Sequence, residues 1–201
     1  PRAGGRDKVH VVANGVDVES FRPQAPDDAR RHRLGLAGKE LVLYAGTFQR
    51  YEGSDLLVRA IGEIVQQSPQ AHRVIVGGSA GLAGGSGPMT PEEQELRAAA
   101  TEAGVLDHVT FTGRIPHGEV KDLYALADII SYPRRLTLTT GLTTPLKPLE
   151  GMAMAKAVVV SDVPPMKELV EDGSTGLLFR AGDHLVLAQK CLRSEERRVG
   201  K

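Results

Sequence analysis

The sequence contains few of the residues that mark several common functional classes. It has no Trp, only four Phe and four Tyr, and a single cysteine, Cys191. So few aromatic rings argue against a stacking platform for nucleic-acid bases and against a carbohydrate-stacking surface. One cysteine excludes an internal disulfide framework and a cysteine-rich zinc site. It fits a reducing compartment, and we predict a cytoplasmic location.

The charge balance and the short apolar runs exclude two further classes. The 25 basic and 25 acidic side chains cancel, whereas a nucleic-acid binder normally carries a basic excess. Apolar runs such as 157–160 fall far short of the roughly 20 residues that a membrane-spanning helix needs. The 201 residues, 41% hydrophobic and 25% charged, predict a globular domain that binds no nucleic acid. Whether the protein contacts a membrane stays open.

The two ends of the chain differ from its middle. Residues 1–7 carry neither an initiator Met nor a secretory signal, and we interpret them as an interdomain stretch of a longer protein. Residues 193–201 are charge-rich, lack apolar periodicity and resemble a translated sequencing adaptor, so we predict a non-native tail. A solvated helix end is the alternative. Residues 8–192 are then the folded domain.

Short apolar runs alternate with helical patterns along residues 8–192. The predicted strands cover 8–13, 41–45, 73–76, 108–112, 128–132, 157–161 and 176–179. The predicted helices cover 54–67, 91–103 with Thr90 as N-cap, 119–127, 145–155, 165–171 and 183–192. Strand–helix–strand alternation with short links predicts an α/β fold, a Rossmann-like parallel sheet with helices on both faces.

Ligands of such sheets bind beyond the carboxyl ends of the strands, and residues 131–155 are the most informative segment there. We expect a loop of about a dozen residues with Arg134 and Arg135 at its start, then a helix capped by Thr144 with Lys147 in its first turn. A cation at a helix N-terminus is unfavourable unless an anion lies there. The segment therefore predicts a phosphate or diphosphate site, with a solvated loop as the alternative.

Glu150 lies nearly one turn beyond Lys147, close to the same helix face. A carboxylate beside an anion site can accept hydrogen bonds from two adjacent ribose hydroxyls, as acidic residues do in dinucleotide sites. A surface ion pair of Glu150 with Lys147 or an arginine is the equally weighted alternative. His117 could face the same ligand or simply begin the next helix. No spacing of the histidines fits a metal site, so we expect no metal.

A series of short motifs carries a family resemblance. In chain order they are 12–17 (VANGVD) with Phe21, 43–46 (LYAG), 53–57 (GSDLL), 74–78 (VIVGG), 109–113 (VTFTG), 149–153 (LEGMA), 158–162 (VVVSD) and 172–178 (DGSTGLL). Each motif alone is weak evidence for a family, but the complete set in this order is specific for one. Over residues 8–190 the chain resembles the C-terminal, donor-binding domain of a group 1 (family 4 type) glycosyltransferase, whose two-domain fold is called GT-B.

The resemblance implies a nucleotide-diphospho-sugar donor of UDP or GDP type, bound as substrate and not as a cofactor. It also implies an acceptor site on an N-terminal domain of the same chain, and retaining, metal-independent transfer. This domain alone would then transfer no sugar. Glu150 would bind the ribose, while Lys147, Arg134 and Arg135 would stabilise the leaving diphosphate. The donor site would further include Gly46, Thr143, Thr144, Pro145 and Leu146.

Three positions depart from the family pattern. Thr47 and Glu52 stand where many members have Arg and Lys, and Leu142 stands where many have an acidic residue. Either other cations replace the missing ones or the domain has lost activity. The candidate replacement cations are Arg134, Arg135, Lys147 and Arg50. These departures motivate one alternative to an active transferase, a catalytically inactive nucleotide-binding or scaffold domain of the same fold. A GT-B nucleotide-sugar epimerase is a separate enzymatic alternative.

Overall fold

The structure is a computed structural model that describes residue 10, residues 12–78 and residues 89–199, with side chains through residue 194. Within these residues six parallel strands form one sheet. They are β1 Glu40–Ala45, β2 Ala71–Val76, β3 Val109–Gly113, β4 Ile129–Tyr132, β5 Ala157–Ser161 and β6 Leu177–Phe179. Their order across the sheet is β3-β2-β1-β4-β5-β6.

Helices surround this sheet. They are α1 Asp28–Arg33, α2 Ser54–Gln67, α3 Pro91–Glu102, α4 His117–Leu126, α5 Leu138–Leu142, α6 Lys147–Ala153, α7 Pro164–Leu169 and α8 His184–Val199, with 3₁₀ turns at Arg50–Glu52 and Leu106–His108. Right-handed crossovers that leave β1 and β4 in opposite directions place α2 and α6 on opposite faces. The predicted α/β fold with a helix-covered parallel sheet is confirmed.

The strand order creates a crevice beside β1. The chain leaves β1 through α2 toward β2, whereas it leaves the neighbouring β4 through α5 and α6 toward β5. The loops that follow these two strands therefore diverge, and in open α/β sheets the gap between them is where ligands bind. Gly46 follows β1 and Pro133 follows β4, so these residues mark the two sides of the crevice.

The ends of β1 and β2 approach each other as closely as glycine permits. Gly77, the residue after β2, has a φ of +130°, and a Cβ there would lie 1.8 Å from the carbonyl oxygen of Gly46. Any side chain at this position would force the two strand ends apart.

Most predicted elements occur, with bounds shifted by one or two residues. The predicted strand 8–13 lies partly outside the described residues, and its described residues 10, 12 and 13 belong to no strand. Thr90 caps α3 as predicted, accepting a hydrogen bond from the Glu93 amide at 3.3 Å. The predicted Thr144 cap is wrong, because α6 begins at Lys147 with Pro148 in its first turn.

Two helices were not predicted. α1 buries no side chain and therefore shows no apolar periodicity; the Asp27 side chain caps it by accepting from the Arg30 amide. α5 lies inside the segment predicted to be a long loop, and a reciprocal hydrogen-bonded box between Thr137 and Thr140 fixes its start.

The predicted chain ends are only partly described. Residues 1–7 lie outside the described residues. The last helix, predicted over 183–192, runs to Val199 and so includes part of the predicted tail, whose non-native origin stays a prediction. None of the helices in the described part of the chain is long and apolar enough to cross a membrane.

Candidate functional site

A cleft of about 560 Å³ lies at the carboxyl ends of β1, β2 and β3. The first turns of α4 and α6 form its other walls. Its lining residues are Ala45, Gly46, Thr47, Val76, Gly77, Gly78, Arg114, Ile115, His117, Val120, Tyr124, Lys147 and Glu150. The position is the crevice that the strand order predicts, and the lining combines cations, a carboxylate and exposed backbone.

A second, larger cleft lies at the opposite edge of the sheet. It has a volume of about 800 Å³ and surrounds the amino ends of β4 and β5. Among the lining residues that the structure describes, only Asp128 and Lys156 carry charge, and ligands of open α/β sheets bind at the other edge. Chemistry therefore favours the smaller cleft as the functional site.

Lys147, the first residue of α6, brings an ammonium group to the cleft. A Cβ on Gly46 would lie 2.7 Å from Lys147 Nζ, so the side chain extends over the end of β1. Burial lowers the pKa of Lys147, the negative charges of Glu52 and Glu150 oppose that effect, and the charge of Arg134 adds to it. A half-buried ammonium with this balance gains stabilisation from an anion in the cleft.

Glu150 presents a carboxylate to the same cleft although the residue is only 8% exposed. Its Oε2 accepts a hydrogen bond from Tyr124 Oη at 3.1 Å, and Tyr124 Oη lies 2.7 Å from Tyr132 Oη. Among the described residues no ion pair involves Glu150, so the alternative prediction of a surface pair with Lys147 or an arginine is wrong.

Arg134 and Arg135 are occupied elsewhere. Arg134 Nη2 lies 3.1 Å from Glu52 Oε1 in a buried ion pair, and its Nη1 donates to the carbonyl of Thr143 at 3.1 Å. Arg135 pairs with Asp55 in the first turn of α2. Of the three predicted cations, only Lys147 lines the cleft. A direct contact of either arginine with a diphosphate stays a prediction.

The remaining predicted donor-site residues lie in and beside the cleft. Gly46 is in its lining. Thr143 and Thr144 use their carbonyl groups to accept hydrogen bonds, from Arg134 and from Asn14 Nδ2 at 3.1 Å. Pro145 and Leu146 connect this stretch to α6. These four residues support the wall of the cleft, and none of them is part of its lining.

The departures from the family pattern have distinct surroundings. Thr47 lines the cleft, and its carbonyl accepts from Tyr44 Oη at 2.6 Å. Glu52 is buried against Arg134. Leu142 is exposed on α5. Arg50, considered as a substitute cation, instead pairs with Glu95 at the surface.

Sequence reasoning missed two lining residues with polar side chains, Arg114 and Tyr124. Arg114 directly follows the glycine that ends β3, so its place at a strand's carboxyl end was a usable signal. Tyr124 lies within a predicted helix among core positions and offered no signal. The sequence left open whether His117 faces the ligand or begins a helix. In the structure it begins α4 and also lines the cleft. In the part of the chain that the structure describes, no group of three or more His, Cys, Asp or Glu side chains could hold a metal ion.

Comparison with protein families and curated sequences gives consistent matches. The family model described as glycosyl transferases group 1 matches residues 39–196. The chain is 34% identical over 179 residues to D-inositol 3-phosphate glycosyltransferase 1 of Catenulispora acidiphila. That alignment covers 88% of this chain and 41% of the relative, so the chain spans about two fifths of the relative's length.

Solved structures share the fold. Anabaena Alr3699/HepE in complex with UDP and glucose superposes with a TM-score of 0.79 at 24% identity, covering 97% of this chain and 50% of that one. The C-terminal domain of a glycosyl transferase group 1 family protein (LpcC) from Francisella tularensis gives a TM-score of 0.72 at 21% identity, covering 90% of this chain and 88% of that one. The sheet and its helices therefore have the Rossmann-like architecture of GT-B proteins.

Proposed function

Because this chain belongs to the group 1 glycosyl transferases, we propose that it binds a nucleotide-diphospho-sugar donor in the cleft at the carboxyl ends of β1, β2 and β3. The observation that carries the proposal is the presence of Lys147 and Glu150 on one cleft surface, a cation beside a carboxylate. The UDP bound by the structurally similar Anabaena protein supports a donor of UDP type, and GDP is the other candidate.

Lys147 is the residue that we assign to the diphosphate. Its ammonium lies over Gly46 in the cleft lining, where a Cβ would come within 2.7 Å of Nζ. As the bond to the sugar breaks, negative charge grows on the departing diphosphate, and a fixed cation in a desolvated site stabilises that charge strongly. Arg134 adds positive potential near Lys147, and its partner Glu52 partly compensates it.

Glu150 is the residue that we assign to the ribose. A carboxylate accepts hydrogen bonds and donates none, so it suits vicinal hydroxyls and repels phosphate. Its position one turn along α6 from Lys147 matches the order of ribose and diphosphate in a nucleotide.

The remaining features of the reaction are extensions of the same proposal. We propose transfer that needs no bound metal, because Lys147 supplies positive charge to the leaving group, and we propose retention of the anomeric configuration because the family resemblance implies it. The acceptor site would lie on another domain, a view supported by the 41% coverage of the curated relative. This domain would then bind donor and transfer no sugar alone. A cytoplasmic location fits the single, buried Cys191.

An inactive nucleotide-binding domain of the same fold is the second candidate. It is favoured by the ion pair of Arg134 with Glu52, which withdraws one predicted cation from the cleft. The epimerase alternative would require several acid and base groups, whereas among the described lining residues Glu150 is the only carboxylate and His117 the only imidazole. No feature of the described residues favours that alternative.

Calorimetric titration tests the proposal directly. We expect the chain to bind UDP or GDP more tightly than the corresponding nucleoside, and Lys147→Met to weaken diphosphate binding at least about tenfold while leaving nucleoside binding unchanged. Lys167→Met, which removes an exposed lysine of α7, is the matched control. Absence of heat with every nucleoside diphosphate at millimolar concentration would contradict the proposal.

Turnover by the full-length protein separates an active from an inactive domain. Consumption of a nucleotide-sugar that falls with Glu150→Gln and with Lys147→Met would support both assigned roles. Unchanged turnover in both variants would contradict those roles, and nucleotide binding without any turnover would favour the inactive domain.

A further inference from the structure

Three elements meet at the carboxylate of Glu150. Tyr124 comes from α4, Tyr132 from the end of β4 and Glu150 from the first turn of α6. The hydroxyls of Tyr124 and Tyr132 lie 2.7 Å apart, and Tyr124 Oη lies 3.1 Å from Glu150 Oε2. Both tyrosines are fully buried, so water does not compete for these hydrogen bonds.

The direction of the hydrogen bonds follows from the chemistry of the groups. A phenol has one proton to donate, and an ionised carboxylate only accepts. Tyr124 therefore donates to Glu150 Oε2, and Tyr132 must donate to the Tyr124 oxygen. Burial raises the pKa of both phenols, so each keeps its proton. One carboxylate oxygen is thus held from inside the fold, and Oε1 takes no hydrogen bond from the described residues.

The anchoring of the Glu150 carboxylate matters because Lys147 lies close to it. Lys147 lies one turn before Glu150, close enough that the carboxylate's charge opposes the fall in the lysine pKa. Without an anchor, the flexible Glu150 side chain would be drawn toward the ammonium, because opposite charges at this spacing on a helix attract. An ion pair formed in that way would occupy both groups at once.

We infer that Tyr124 is a positioning residue that keeps Glu150 apart from Lys147, with Oε1 turned toward a ribose hydroxyl of the nucleotide. Tyr132 fixes Tyr124 in the donating orientation. The inference rests on the proposed function, since it concerns how the nucleotide is recognised. It assigns ribose selectivity to a buried tyrosine that does not itself need to touch the ligand.

The test compares UDP with 2′-deoxy-UDP by calorimetry in the 201-residue chain. We expect the wild type to prefer UDP about tenfold, since the 2′-hydroxyl donates to a charged acceptor. Tyr124→Phe removes the anchor and should reduce the preference to less than about twofold, and Tyr132→Phe should give an intermediate ratio. Tyr51→Phe is the matched control, because the Tyr51 hydroxyl makes no hydrogen bond with the described residues, and it should keep the wild-type ratio.

The possible results distinguish failure of this inference from failure of the proposed function. A Tyr124→Phe protein with the wild-type melting temperature and ratio would overturn the inference, as would a wild type that binds both nucleotides equally, and in both cases nucleotide binding itself would stand. If Tyr124→Phe does not fold, an unchanged ratio in Tyr132→Phe overturns it. A wild type that binds neither nucleotide would refute the proposed function and this inference together.

Discussion

The ion pair between Arg134 and Glu52 allows a quantitative prediction about stability. It joins the loop after β4 to the 3₁₀ turn after β1, and the two side chains are 8% and 11% exposed. Glu52→Gln keeps the shape of the side chain and removes its charge. Arg134 would then keep only neutral acceptors, the Thr143 carbonyl and the new amide oxygen, and would lose its counter-charge; its buried Nε has no partner among the described residues.

The expected loss follows from leaving a guanidinium buried without a counter-charge. Breaking a buried pair in this way typically costs about 3–5 kcal/mol. Because both side chains retain slight exposure, we expect the lower end, about 3 kcal/mol, a large part of the about 5–15 kcal/mol by which domains are usually stable. The double variant Glu52→Gln with Arg134→Met removes both charges and should recover most of the loss.

Urea unfolding measures this effect against a matched control. Arg50 and Glu95 form a pair of similar N–O distance, 3.3 Å, but their side chains are 85% and 61% exposed. Glu95→Gln should therefore change the free energy of unfolding by less than about 1 kcal/mol. A Glu52→Gln variant no less stable than Glu95→Gln, or a double variant less stable than Glu52→Gln, would refute the reasoning.

Two further predictions concern other parts of the fold. Gly77→Ala should lower the free energy of unfolding by about 3 kcal/mol or more, because Gly77 has a φ of +130° and an added Cβ would collide with the Gly46 carbonyl oxygen. Gly15→Ala is the control, since open space surrounds Gly15 and its free energy of unfolding should not fall. Equal melting temperatures of the two variants would contradict this reasoning. Burial and the nearby Lys39 lower the pKa of His72 from 6.5 to about 4, so the unfolded chain binds the extra proton first and stability should fall as the pH drops from 6.5 toward 4. His72→Gln should remove that part of the pH dependence of unfolding, and an unchanged profile would show that His72 does not cause it.

The sequence predicts elements best where a helix or strand buries a regular apolar face. α2 was predicted with its observed bounds because Leu56, Leu57, Ala60, Ile61 and Ile64 repeat at helical spacing and are all buried. α1 has no buried face, and its stability comes instead from the Asp27 cap and from contacts of Arg30 with α4, which periodicity cannot detect.

The start of α6 illustrates a different limit. Pro145 and Pro148 both suit the first turn of a helix, and local propensity does not choose between them. In the fold, the stretch before Lys147 is engaged in tertiary contacts, such as the hydrogen bond from Asn14 to the Thr144 carbonyl. Such contacts between residues far apart in the chain decide the boundary.

Some residues of the candidate site could also be predicted from the sequence, and others could not. Lys147, Glu150 and Gly46 were predictable, because helix spacing and a strand end place them at one edge of the sheet. The partner of Arg134 was not, because Glu52 lies 82 residues earlier in the chain. Tyr124 could not be recognised either, since a buried tyrosine within a helix is usually a core residue.

The crystal structure of this chain bound to UDP would test the central claim most directly. The account predicts that Lys147 Nζ lies within about 3 Å of a diphosphate oxygen and that Glu150 Oε1 lies within about 3 Å of a ribose hydroxyl. A nucleotide bound outside this cleft, or one whose diphosphate contacts Arg114 and His117 while Lys147 stays unengaged, would contradict it.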